Sequence, residues 1–160
     1  MRVLLAGLPG TGKSTLAAAL AARQPALVLS KDTVRAAVFG PQWVEYSSEQ
    51  DEFVMGLLLE TARWWEARKP DAVIIFDGRT FAHRWQRDAV QADRVIWCVC
   101  PPELARQRLE AATGHPAADR GVALYERVEA RFEPLTEPHL LVDTSRPLAE
   151  CVEAMVAYLR

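Results

Sequence analysis

Gly7-Leu8-Pro9-Gly10-Thr11-Gly12-Lys13-Ser14 decides how the rest of the chain is read. A glycine, four residues and then Gly-Lys-Ser is the spacing of a Walker A phosphate-binding loop, and the flanks suit it. Val3 to Ala6 is a short apolar run of strand length, and Ser14-Thr15-Leu16-Ala17-Ala18-Ala19-Leu20 is made of good helix formers. Glycines let successive backbone N–H groups turn inward around phosphate oxygens, and the start of the helix adds its dipole. The residues expected around the nucleotide are Gly7, Pro9, Gly10, Thr11, Gly12, Lys13, Ser14 and Thr15. Lys13 reaches the β and γ phosphates, the Ser14 hydroxyl enters the coordination shell of Mg²⁺, and Thr15 supports the helix start. A surface glycine turn would leave the strand and helix unexplained, and a dinucleotide fingerprint has no use for Lys-Ser at this place.

Outward from the loop, apolar runs alternate with helical spacing. Strands are expected at Ala26 to Leu29, Val73 to Phe76, Arg94 to Cys100 and Leu140 to Val142, in addition to Val3 to Ala6. Helices are expected at Asp32 to Phe39, Glu49 to Lys69, Phe81 to Gln91, Glu103 to Ala112, Val122 to Phe132 and Leu148 to Leu159. Short apolar strands joined by helices make an α/β fold, an open five-stranded parallel sheet covered on both faces. No internal repeat, low-complexity tract or linker interrupts it, so a single domain over residues 1–160 is expected.

At 160 residues and 50% hydrophobic content the chain can bury a core. Its 19 Lys and Arg against 21 Asp and Glu leave a net charge of -2, without the general positive field that gathers nucleic acid or anionic membrane. The cysteines, Cys98, Cys100 and Cys151, have no metal-ligand spacing and an odd number, which suits a reducing interior. No apolar run reaches the length of a membrane span, and a cytoplasmic protein with no membrane partner is expected.

Two carboxylates follow strands. Asp32 lies just after the second one, where it could accept the proton of an attacking hydroxyl or simply cap a helix. Arg35 stands one helical turn on, able to clamp an anionic group of an acceptor or to pair with Asp32, while Val34 and Val38 turn inward. Asp77 follows Val73 to Phe76 in a Walker B-like position, from which it could hold Mg²⁺ or orient the acceptor. Gly78 would give the backbone room for a ligand, and Arg79 and Thr80 open onto the same sheet edge.

These residues resemble small P-loop kinases related to the phage-type polynucleotide 5'-hydroxyl kinase, the chloramphenicol phosphotransferase and the zeta-toxin kinases. The resemblance covers most of the chain. It rests on Gly7 to Ser14, on Ser30-Lys31-Asp32-Thr33-Val34-Arg35 and on Val73-Ile74-Ile75-Phe76-Asp77-Gly78, with the arginine-bearing segment after Cys100-Pro101-Pro102 as a looser point. It implies a P-loop NTPase fold like that of nucleoside monophosphate kinases, with a small helical lid near residues 106–121. It also implies ATP and Mg²⁺ as cofactors, Asp32 as general base, Arg35 recognising an anionic group beside the accepting hydroxyl, and a lid arginine steadying the transferring phosphoryl group. The family's lid often begins with Arg-x-x-x-Arg, whereas Arg108 is followed by Ala112 at that spacing. Arg108 and Arg120 are favoured for the lid role over Arg106, with Arg127 more distant.

Other side chains have two readings each. Trp64 and Trp65 suit packing, Trp43 or Tyr46 could stack on an acceptor, and His83, Arg84 and Arg87 form either a small basic patch or a solvated helix face. Arg146 follows the last strand, where it could touch the adenine or leave Asp143, Thr144 or Ser145 to cap the next helix. The expected activity is transfer of the γ-phosphoryl group of ATP to a hydroxyl of a small molecule. A nucleic-acid 5'-hydroxyl end is the alternative acceptor, and a nucleotide-dependent switch or binding module is the alternative from another class.

Overall fold

The computed structural model describes residues 1–112 and 121–160. In chain order these form β1 (Arg2–Ala6), α1 (Lys13–Arg23), β2 (Ala26–Ser30), α2 (Lys31–Phe39), α3 (Ser48–Glu66) and β3 (Val73–Asp77). They continue with α4 (Arg84–Val90), β4 (Arg94–Val99), α5 (Pro102–Ala111), α6 (Val122–Glu129), β5 (His139–Asp143) and α7 (Leu148–Leu159).

All five strands pair in parallel, in the order β2-β3-β1-β4-β5. Because side chains alternate across a strand, a sheet buried on both faces needs apolar residues at odd and even positions alike, and β1 supplies them. Val3 and Leu5 pack with Leu16 and Leu20 of α1 and Val152 and Met155 of α7. Leu4 and Ala6 pack with Met55, Leu58 and Ala62 of α3 and with Phe81. All four β1 residues are fully buried, each larger one stabilising the fold by about 1.5–3 kcal/mol relative to exposure. The chain leaves β1 for one side of the sheet and later crosses to β4 on the other, so a crevice opens at the C-terminal end of β1, where α/β sheets bind ligands.

The helix boundaries depart from the expected ones where side chains intervene. Helix α2 starts at Lys31 because Ser30 Oγ accepts the Thr33 N–H at 3.4 Å. Helix α3 is capped by Ser47, whose Oγ accepts the Gln50 N–H at 3.2 Å, and its first turn carries Glu49 and Asp51. Helix α4 is only seven residues long, because Phe81 takes a left-handed backbone (φ 52°) to drop its ring into the core. Arg87 explains why this segment holds: buried, it donates to the Phe81 carbonyl at 3.1 Å and pairs with Glu137.

That packing corrects the basic patch expected at His83, Arg84 and Arg87. Arg87 is turned inward, His83 Nδ1 lies 3.0 Å from Glu133, and Arg84 pairs with Asp88 at 3.6 Å. Trp65 packs on the core as expected, whereas Trp64 is half exposed beneath the Arg68 guanidinium. Val38 is half exposed too, the inner face of α2 being given to Arg35 instead. Among the described residues no helix is long and apolar enough to cross a membrane.

Candidate active site

The loop between β1 and α1 is held from behind. Gly10 has φ 78°, and a Cβ there would fall 2.5 Å from the Ala105 carbonyl oxygen, so α5 can back the loop only if this residue is glycine. Thr11 is buried and staples the turn by donating from Oγ1 to the Leu8 carbonyl at 2.8 Å. Gly7, also behind the loop, donates its N–H to the Thr80 carbonyl at 3.0 Å, tying the loop to the segment after β3. Gly12 is the N-cap of α1. Lys13 folds its ammonium over the loop, donating to the carbonyls of Gly7 at 2.8 Å and Leu8 at 2.7 Å. Burial beside this loop pushes the Cys98 thiol up to about 12, with Lys13 opposing it, so Cys98 is an inert packing residue.

In front of the loop lies a cleft of about 680 Å³. Pro9, Gly10, Gly12, Lys13, Ser14 and Thr15 line its donor side, and Lys31, Asp32, Arg35, Asp51, Gly78, Arg79 and Thr80 line the opposite side. The fold thus brings together the phosphate loop and the acid after β2, which are distant in sequence.

Gly78 makes that juxtaposition possible, though not by leaving room for a ligand as expected. It has φ 84°, and a Cβ there would lie 2.8 Å from the Lys31 nitrogen and 2.9 Å from the Asp32 nitrogen. The space belongs to the first turn of α2, which closes on the end of β3 through a glycine.

Asp32 stands 3.9 Å from the Lys31 ammonium and 3.9 Å from Arg35 Nη1. Arg35 is buried and pairs with Asp51 of α3, with the Tyr46 ring 5.3 Å from its guanidinium carbon. Lys31 Nζ donates to both Asp51 oxygens, at 3.0 and 3.1 Å. Arg79 donates to Glu52 at 2.6 Å and lies 5.2 Å from the Trp85 ring centre. Asp51 and Glu52 had no sequence signal beyond an acidic first turn that suits a helix start, because their partners lie 20 and 27 residues away along the chain. Tyr46 lines the cleft; Trp43, the other stacking candidate, is 73% exposed and does not.

Asp77 ends β3, buried beside Ser30 of β2, and its Oδ1 has no hydrogen-bond partner among the described residues. An orphaned, nearly inaccessible carboxylate oxygen is costly and calls for a cation or a donor. Among the described residues no three His, Cys, Asp or Glu side chains converge on one point. Ser14 with one such acid therefore fits a Mg²⁺ that takes its remaining oxygens from phosphates and water, the usual way this ion is held.

Of the arginines, Arg108 lines the cleft and donates to Thr144 Oγ1 at 2.9 Å and to the Thr144 carbonyl at 2.7 Å. Its Nη1 lies 3.6 Å from where a Gly12 Cβ would stand, which places it over the start of α1. Thr144, missed in the sequence except as a possible cap, is buried there and is itself fixed by its N–H to the Val99 carbonyl at 2.8 Å. Arg146 also lines the cleft and pairs with Glu150 at 3.0 Å. Arg106 lies over the Tyr125 ring, and Arg120 falls outside the described residues, as does residues 113–120 of the expected lid.

Solved structures share this architecture. The chain matches a sugar kinase from Janibacter sp. with a TM-score of 0.70 at 21% identity, over 99% of this chain and 93% of that one. A gluconokinase from Sinorhizobium meliloti matches with a TM-score of 0.69 at 16% identity, over 99% and 90%. A shikimate kinase from Bacteroides thetaiotaomicron matches with a TM-score of 0.71 at 16% identity, over 99% and 98%. At these identities the likeness shows the fold, a P-loop fold that kinases of small molecules use. No curated protein matches the chain. The family described as AAA domain matches residues 3–135, most of the chain, and it is to this family that the chain belongs.

Proposed function

We propose that the chain is an ATP-dependent phosphotransferase that moves the γ-phosphoryl group to a hydroxyl of a small molecule. The observation that carries this reading is one cleft lined on one side by Lys13 and Ser14 and on the other by Asp32. A nucleotide switch needs the first set of residues and has no use for the second.

In the proposed reaction Asp32 accepts the proton of the acceptor hydroxyl. The hydroxyl oxygen forms a bond to the γ-phosphorus, the bond from that phosphorus to the β–γ bridging oxygen breaks, and its electron pair leaves with ADP. Lys13 leaves the Gly7 and Leu8 carbonyls for the β and γ phosphates, and the loop N–H groups hold those oxygens. Ser14 and Asp77 would hold Mg²⁺, which supplies positive charge where negative charge builds on the phosphates. Lys31 and Arg35 fix the Asp32 carboxylate between them. Arg108, hung on Thr144 above Gly12, is placed to meet the transferring group, and Arg120 keeps its expected role as a second lid arginine. Arg146 takes the base side of the nucleotide, and Arg79 borders the acceptor.

The narrower resemblance, to the polynucleotide, chloramphenicol and zeta-toxin kinases, is retained for the roles of Asp32 and Arg35. A nucleic-acid 5'-hydroxyl end is the less favoured acceptor, since the cations that would track its phosphates are engaged within the protein, Arg87 by Glu137 and Arg79 by Glu52.

The test is a screen of ATP consumption and acceptor mass over a library of small hydroxyl compounds and 5'-hydroxyl oligonucleotides. A small molecule that gains one phosphoryl group while ADP forms one-for-one supports the proposal. ATP hydrolysis that no acceptor stimulates or intercepts would sink it in favour of a simple NTPase or switch.

A further inference from the structure

On the acceptor side of the cleft the described cations are Lys31, Arg35 and Arg79, and every one of them meets a carboxylate of the same chain. Lys31 and Arg35 share Asp51 and flank Asp32, while Arg79 holds Glu52. The side chains of Lys31 and Arg35 are 9% and 3% exposed, so their charges count at close to their undiluted strength. Around the accepting position two cations are thus balanced by two carboxylates.

This balance bears on the acceptor itself. A substrate carboxylate or phosphate could reach Arg35 or Lys31 only by taking it from Asp51. That would leave the Asp51 carboxylate unpaired, half sheltered from water and beside a second anion, an arrangement penalised by desolvation and by like-charge repulsion. An uncharged compound asks for no such exchange. The lone pairs of Asp32 and Asp51 left over from their ion pairs accept O–H groups, and a compound with neighbouring hydroxyls can satisfy both carboxylates, which share the Lys31 ammonium. Tyr46, 40% exposed at the cleft wall, offers a ring face to the C–H side of such a molecule.

We infer that the acceptor is an uncharged polyhydroxy compound, of the sugar or cyclitol kind, and that Asp51 binds the hydroxyl next to the one that Asp32 activates. The inference rests on the phosphotransferase reading for which hydroxyl reacts, but the charge balance of the pocket stands apart from it. It departs from the role that family resemblance implies for Arg35, since the anion Arg35 recognises is supplied by the protein itself.

The experiment compares matched sets of one carbon skeleton: the neutral aldose or polyol, its aldonate and its sugar phosphate. With wild-type protein and ATP-Mg²⁺, kcat/KM for the neutral member of the preferred set should exceed that of either anionic congener by about tenfold or more. In Asp51→Asn, which frees one positive charge, that ratio should collapse, chiefly through KM for the neutral member. An anionic congener that matches or beats the neutral one in the wild type overturns the inference. Binding of the same compounds is read separately by calorimetry with a non-hydrolysable ATP analogue. A neutral member that binds, loses affinity in Asp51→Asn and is never phosphorylated would keep the inference and remove the kinase reading. Failure of every neutral member to bind would overturn the inference whatever the fate of that reading.

Discussion

On the donor side of the cleft the protein presents main chain: Gly7 to Gly12 turn around a point, α5 and Thr11 brace them from behind, and the Lys13 ammonium rests on the loop's own carbonyls. On the acceptor side it presents side chains, with Lys31, Asp32, Arg35 and Asp51 knitted into one charged group and Arg79 joined to Glu52. Backbone N–H groups suit a ligand that never varies, the polyphosphate, because their positions follow from the strand-turn-helix geometry alone. A side-chain network can be rewritten by substitution without moving the fold, as befits a face that has to choose among hydroxyl compounds.

The largest effect should come from the donor side. Lys13→Ala removes the charge that meets the β and γ phosphates, and transfer should fall by about 10²- to 10³-fold in a protein that still folds. Steady-state kinetics alongside a thermal melt would check this. Undiminished transfer by a well-folded variant would mean that the two halves of the cleft are not divided as described.

Gly78→Ala probes how the acceptor half is attached. A methyl group at φ 84° meets the Lys31 and Asp32 nitrogens, so the first turn of α2 must shift, and stability should fall by about 1–3 kcal/mol. Urea unfolding gives the number, and transfer should suffer more than ATP binding because Asp32 moves while the loop does not. A variant of native stability and activity would show that α2 does not depend on this close approach.

The contrast also explains what could be read from the sequence. The donor half was legible because its residues are contiguous and its chemistry is local: Gly7 to Ser14 need only their own strand and helix. All five strands were legible as well, since burial on both faces demands uninterrupted runs such as Val73-Ile74-Ile75-Phe76. On the acceptor half, Asp32 and Arg35 could be named from their place after a strand, but Asp51 could not. Its acid suits a helix N-terminus as well as an ion pair, and only the packing of α2 against α3 decides for the pair. Arg87 was misread for a similar reason. A charged residue on a short helix looks solvated until Phe81 turns inward and its carbonyl needs a donor. Gly78 was noticed, and its true neighbour, the start of α2, is visible only in three dimensions.

A smaller effect should come from outside both halves. Arg2 grips both oxygens of Glu66, at 2.7 and 2.8 Å, and this hydrogen-bonded pairing holds the Glu66 carboxyl below its ordinary value of 4.5. A carboxyl lowered in the folded state adds stability that is full above the ordinary value and is lost as pH falls through the folded one. The pair is partly open to water, so its worth is about 1 kcal/mol or less. Glu66→Gln should therefore make the loss of stability shallower between pH about 7 and about 3, followed by urea midpoints, with transfer at neutral pH unchanged. A change in transfer at neutral pH would couple this end of the sheet to the cleft and blur the division drawn above.

The central claim, that the acceptor half activates a hydroxyl, is tested most directly by the kcat of Asp32→Asn at saturating acceptor, measured where chemistry limits turnover. Asparagine keeps the shape of the side chain and removes its capacity to take a proton. The variant should stay folded and bind ATP-Mg²⁺, yet transfer about 10²-fold or more slowly to the acceptor. A folded Asp32→Asn protein with near-native kcat would contradict the account and leave Asp32 as no more than an anchor for Lys31 and Arg35.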